Sequence, residues 1–273
     1  MKEVKLLDTD VDEKIKAELA ATFQSNRQQI FSKLFGAALG SIPWVGGFLS
    51  AMADYKSDRG QVKSNQLYEQ WLGEHTNKMR LLSETLIDIA KRLDEFSDDI
   101  NERIESEEYL QIVRKSFRVW NDADTQEKRE FVRRLLTNAG AHKLVADDLI
   151  RLFLDWLALY HEIHFAVIRA IYKVPGVTRL EIWQQVDGSS VRENSLEADL
   201  FKMLIRDLSM GGVIRQHRQT DYAGNFVKKA RVQSNIKTNT MKSAFDDGEG
   251  YELTELGKQF VHYTMNEVVR KVE

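Results

Sequence analysis

Between Asp10 and Lys33 apolar residues recur at near-helical spacing, at Val11, Ile15, Leu19, Phe23 and Ile30, with polar residues between them. That pattern predicts an amphipathic helix. It runs into the stretch LFGAALGSIPWVGGFLSAMA, Leu34 to Ala53, which carries no charge. Pro43 divides the stretch, and proline suits the first turn of a helix because the N–H it lacks has no partner there. One helix is therefore expected to end near Gly40 and another to begin near Pro43.

Further along, Met79, Leu82, Leu86, Ile89, Leu93, Phe96 and Ile100 alternate in steps of three and four. This spacing keeps one seam on one side of a helix, as in a coiled coil. A seam helix over residues 76–104 is predicted. It pairs either within the chain, as an antiparallel hairpin, or with a second copy through Leu82, Leu86, Ile89, Leu93 and Phe96. Gly60 and Gly73 are upstream points where a helix would kink or stop. Shorter helices follow over Ser106–Trp120, closed by the turn Asn121-Asp122-Ala123-Asp124, and from about Thr125, Val145 and His161. No strand is expected before Lys173.

After Pro175, one of only two prolines, the pattern changes. Thr178 and Glu181 are spaced as a capping box and predict a short helix to Val186. A second helix is expected over Ser195–Met210, with Gly211-Gly212 as its stop. Val213–His217, Lys228–Val232 and Tyr251–Leu253 read as strands, and a closing helix starts at Thr254. Helix, helix-turn-helix, strand, basic wing, strand, helix is the order of a winged-helix domain. The tail YELTELGKQFVHYTM resembles the closing segment of many winged-helix proteins.

Upstream, DTQEKREFVRRLLTNAG and DDLIRLFLDWLALYHEIHFAVIRAIY resemble the helical module that precedes a winged helix in bacterial proteins of the abortive-infection alpha type. Glu127, Lys128, Arg129, Leu157 and His161 stand at the positions that carry the likeness. The resemblance implies a role in phage defence or cell suicide. The expected architecture is mainly α. Residues 1–105 form an elongated helical bundle or coiled-coil hairpin with the Gly-rich segment 34–53, residues 106–160 a helical module, and residues 161–273 a winged-helix α+β domain.

Composition narrows the chemistry. The 273 residues are 42% hydrophobic and 30% charged, with a net charge of −3 and no cysteine. There is no global basic field, so nucleic acid would have to meet a local patch. Without cysteine, disulfides, thiolate metal sites and a cysteine nucleophile are excluded. The charged start MKEVKLLDTDVDEKIKAE lacks the apolar block of a secretory signal, so a cytoplasmic location is expected. His161 and His164 are spaced i, i+3, one residue short of the zincin pair. They are expected to be packing residues. The acidic doublets Asp98-Asp99, Glu107-Glu108 and Asp147-Asp148 point about 100° apart on a helix and do not converge as acid–base pairs. Neither a phosphate-binding Gly-rich loop nor a nucleophile elbow is present. No enzyme activity, metal or cofactor is expected.

Three features remain. The presumed recognition helix carries Glu197, Asp199 and Asp207 against Lys202 and Arg206, with Glu193 at its approach, which disfavours base reading by its N-terminal half. Arg215, Arg218, Lys228, Lys229, Arg231, Lys237 and Lys242 face only Asp221 over their span, enough for phosphate contacts that position without specifying sequence. The third is the apolar segment with Gly36, Gly40, Pro43, Trp44, Gly46, Gly47 and Phe48. It reads as a buried helical corner, a conditionally membrane-active element or an oligomer interface, and its small residues four apart would let a covering helix approach closely. The expected function is a non-enzymatic defence-type effector or accessory protein. It would act by oligomerisation or membrane perturbation through the apolar segment, with the winged helix binding a protein partner or nucleic acid. The alternatives are a winged-helix DNA-binding regulator dimerised by a coiled coil, and a protein–protein adaptor.

Overall fold

The computed structural model describes residues 25–57, 66–96, 100–190, 192–218, 221–223, 225, 227, 243–245 and 248–266. The expected helix before Ser25 and the expected strand Lys228–Val232 lie outside them. Two compact units are present, Met1–Leu159 with Tyr263–Glu273, and Tyr160–His262.

The first unit contains α1 (Ser25–Gly40), α2 (Pro43–Ser57), α3 (Gln66–Asp94), α4 (Asn101–Glu105), α5 (Glu107–Asp122), α6 (Gln126–Ala141) and α7 (Asp147–Leu159). Helix α5 is central and packs on α1, α6 and α7. It buries Tyr109, Ile112, Val113, Ser116, Phe117 and Trp120 on one stripe, as its three–four spacing requires. The hydroxyl of Ser106 caps it by accepting from the Tyr109 N–H at 3.3 Å. Helix α6 is buried over almost its whole second half, so its polar groups are bonded inside. Asn138 Nδ2 donates to the Tyr263 carbonyl at 3.0 Å and Arg134 Nη1 to that of Met265 at 2.7 Å.

A knot of unlike contacts joins α3, α4, α5, α6 and α7. Arg103 forks onto Asp147 with Nη1–Oδ2 at 3.0 Å and Nη2–Oδ1 at 2.5 Å. Its guanidinium also lies 5.3 Å from the centre of the Tyr109 ring. The Tyr109 hydroxyl donates to the Leu136 carbonyl at 3.0 Å. Gly140 makes room for this: a Cβ there would stand 2.6 Å from that hydroxyl and 3.0 Å from Leu93 Cδ2. The bonds from Arg103 hold the Asp147 carboxyl below its ordinary pKa despite partial burial.

The seam helix differs from expectation. Helix α3 starts ten residues earlier, runs through Gly73 without a break and ends at Asp94, after which Asn101 opens the separate α4. Leu82, Leu86, Ile89 and Leu93 are completely buried within the chain, and α3 packs on α6, α2 and α1. Among the described residues the seam is thus covered inside the unit. Phe96 lies beyond the helix end, half-buried, with its ring edge-on to His142 at 5.3 Å.

Helices α1 and α2 meet at 97° across Ser41-Ile42. No single helix among the described residues is long and apolar enough to cross a membrane, and only this bent pair passes by length and composition. Its inner side, Phe31, Leu34, Phe35, Ala38, Ile42, Val45 and Phe48, is buried. Trp44 is half-buried, and its Nε1 donates to Asn121 Oδ1 at 2.7 Å. Gly36, Gly40, Pro43, Gly46 and Gly47 are exposed. Among the described residues nothing lies within 4 Å of a Cβ built on any of the four glycines. Among the described residues, large side chains at three–four spacing make the packing, and the glycines occupy the opposite side.

The second unit runs α8 (Glu162–Lys173), β1 (Val177–Thr178), α9 (Arg179–Val186), α10 (Leu196–Met210), β2 (Ile214–Gln216) and β3 (Gly250–Leu253), then α11 (Glu255–Thr264), whose last two residues belong to the first unit. The strands form an antiparallel sheet of order β1-β3-β2. The register sets Val177 opposite Tyr251, and Arg215 opposite Glu252. Ile168, Ile182, Trp183, Phe201, Leu204, Leu208 and Phe260 form the core beneath.

The two classes of glycine respond oppositely to a methyl group. Gly140→Ala should lower unfolding stability by about 1–3 kcal/mol, because the bonded Tyr109 hydroxyl cannot retreat. Gly36→Ala, in an open helical position, should raise it by about 0.5–1 kcal/mol. Urea titrations followed by circular dichroism measure both, and a loss of stability at Gly36 would mean that its face is packed.

Candidate functional site

The site is built where α10 gives way to β2. Ser195 opens the helix, its hydroxyl accepting from the Ala198 N–H at 3.1 Å. At the other end the Val213 N–H reaches the Leu208 carbonyl at 3.0 Å and the Gly212 N–H that of Ser209 at 3.1 Å. Those two bonds make a Schellman turn, which needs a left-handed residue, and Gly212 supplies it with φ of 73°. The chain therefore turns at once from the last two turns of α10 into the edge strand. Lys202, Arg206 and Met210, four apart on the helix, come beside Arg215 and Arg218.

Arg179, the first residue of α9, approaches from the opposite edge of the sheet. Its Nε and Nη2 donate to the Tyr251 hydroxyl at 2.9 and 2.7 Å, and the guanidinium lies 5.4 Å from that ring's centre. Together these residues surround a cavity of about 450 Å³ with Ile205 and Ile214 at its base. Five cations line it, and none of the described lining residues is acidic.

Carboxylates pair with several of these cations from outside the lining. Glu252 receives Arg215 Nε at 2.7 Å on one oxygen and faces His217 Nδ1 at 2.6 Å on the other. Partial burial would raise its pKa, but the bonds and charges of Arg215 and His217 outweigh that and hold it below the ordinary value. Lys202 Nζ stands 3.8 Å from the carboxylates of Glu193 and Asp199, and Arg206 Nε 3.4 Å from Asp207. The group that holds Arg179 is a tyrosine hydroxyl and not a carboxylate.

Of the sequence-predicted basic residues, Lys202, Arg206, Arg215 and Arg218 come together here. Lys228, Lys229, Arg231, Lys237 and Lys242 lie outside the described residues. Sequence reasoning missed Arg179, Met210 and Tyr251. Arg179 sits inside the capping box, where it read only as a helix starter. Glu193, read as an acid that repels phosphate, also has a packing role. It accepts from the Ala244 N–H at 2.9 Å and from the Ser243 hydroxyl, next to Phe245, which stacks on Phe201 at 5.6 Å.

The histidine pair makes a cap. His164 Nδ1 accepts from the His161 N–H at 3.1 Å, and its ring stacks on Tyr160 at 5.1 Å. Among the described residues no three His, Asp or Glu side chains gather as a metal site would need. No family model, no curated protein and no solved structure matches the chain significantly.

Because the fold depresses the Glu252 pKa, the stabilisation it contributes is present above the ordinary carboxylate range and lost as pH falls through the lowered value. Glu252→Gln should lower stability at neutral pH by at most about 1 kcal/mol, since solvent screens the pair on its outer side. The gap to the wild type should close as pH drops below the carboxylate range, which thermal melts across pH would record. A gap independent of pH would show that the charge is not what matters.

Proposed function

We propose that the chain is a non-enzymatic protein, of the effector or accessory kind found in bacterial defence, whose C-terminal unit is a winged-helix module that docks on nucleic-acid phosphates. The observation that carries this reading is the convergence of five cations on one concave face whose described lining holds no acid. The order α8, β1, α9, α10, β2, β3 supports the winged-helix assignment. Docking positions the protein without reading sequence. Glu197 and Asp199 are exposed in the first turn of α10, the part that would approach bases, whereas Lys202 and Arg206 lie in the later turns.

Titration of the full chain against labelled oligonucleotides at increasing KCl tests this. The logarithm of affinity should fall linearly with the logarithm of salt, by about 0.7–0.9 per phosphate neutralised. Arg206→Ala should weaken binding to all sequences alike and reduce the slope by roughly one. Absence of salt-dependent binding to single and double strands alike would refute the reading.

A second reading concerns α1–α2. From Leu34 to Ala53 the pair carries no charge, and the two helices together meet the length and composition of a membrane segment. If that stretch contacts lipid when the protein assembles, wild type should release dye from anionic liposomes and Gly40→Glu should not. Intact liposomes with both proteins under assembling conditions would exclude it.

A further inference from the structure

The cationic face is more than a surface for a phosphate ribbon. A duplex backbone is convex and contacts a charged surface without needing a hollow, yet the cations here line an open concavity of about 450 Å³. That volume has room for one flat ring, held on its inner side and open to solvent on the other. The middle of the cationic ring is apolar. Met210 is 81% exposed at the end of α10, with Arg206 one turn before it and Arg215 just beyond the Schellman turn. An exposed thioether adds nothing to a phosphate contact, but it offers a soft, polarizable face to a flat ring. Arg179 adds a second such face. Two bonds to the Tyr251 hydroxyl fix its guanidinium plane, and Nη1 carries no hydrogen bond among the described residues.

We propose, on the basis of the nucleic-acid reading above, that this cavity takes one unpaired nucleotide of a single strand. Its base lies against Met210 and the Arg179 plane, and its flanking phosphates lie on Lys202, Arg206, Arg215 and Arg218. A planar guanidinium and an apolar side chain are the partners that unstacked bases use, and the sugar–phosphate chain follows the cations. Every base has such a face, so the site is indifferent to sequence, in keeping with the acidic first turn of α10. A paired base cannot enter, since its faces are covered by its neighbours in the stack.

Fluorescence anisotropy on the full chain distinguishes the possibilities, with a short single strand of mixed sequence, its blunt duplex, and the variant Met210→Ala. The exposed Met210 side chain makes no core packing, and circular dichroism checks that the variant folds. The single strand should bind about tenfold tighter than the duplex. Met210→Ala should cost most of that preference and leave duplex affinity unchanged. Equal affinities, or a Met210→Ala protein that retains the preference, would overturn the proposal while salt-dependent binding left phosphate docking in place. Loss of salt-dependent binding to both forms would remove the docking reading itself. Tighter binding to an acidic peptide than to either nucleic acid would also overturn the proposal and assign the cavity to a protein partner.

Discussion

Strand β3 hydrogen-bonds on both of its edges, and the cationic face of the C-terminal unit depends on that double pairing. Its Tyr251 carbonyl accepts from the Gly176 N–H at 2.8 Å and its Gly250 carbonyl from the His217 N–H at 2.8 Å. Just past its end, the Thr254 hydroxyl donates to the Gly212 carbonyl at 2.6 Å, tying the strand to the turn that ends α10. The closeness of β3 to β1 requires the absence of a side chain, since a Cβ on Gly250 would stand 2.3 Å from the Gly176 carbonyl oxygen. Buried backbone groups must find partners, and by finding them here they bring together side chains from the start of α9, the end of α10 and β2.

Arginine serves differently in the two units. Arg103 is 13% exposed, and its charge is matched by a bidentate carboxylate and an aromatic face. It locks helices together, and nothing of its charge is offered outward. Arg179 is held by a hydroxyl and a ring in place of a carboxylate, so its direction is fixed without an ion pair. Arg215 is intermediate: Glu252 orients it from behind and takes part of its field. A rigid cation binds an anion with less loss of conformational entropy than a mobile one.

Much of the fold was legible in short segments. The break at Pro43, the capping box at Thr178, the cap at Ser195 and the stop at Gly211-Gly212 all stand where the residues indicated. Each is a local matter, in which one side chain or one missing side chain satisfies or frees a backbone group within four residues. What was not legible depends on distant partners. The seam of α3 announced a buried side but not what would bury it, and the same spacing fits a coiled coil and a core helix equally. Strand β1 has two residues, too few for any periodicity, and exists because β3 lies beside it. The glycines of α1 and α2 suggested close packing, yet only burial distinguishes a packed glycine from an open one.

By itself the sequence determined the helix ends marked by a cap, a proline or a glycine stop, the buried stripe of each periodic segment, and that positive charge gathers after Val213, because these follow from backbone chemistry and hydrophobic periodicity along one stretch of chain. Only the tertiary structure decided that Lys202 and Arg206 join Arg215 and Arg218, that Arg179 meets them from the other edge of the sheet, and that Met210 stands exposed among them. The pairing of Tyr251 with Arg179 spans 72 residues. No local pattern encodes that distance, since the contact is a by-product of which strands pair.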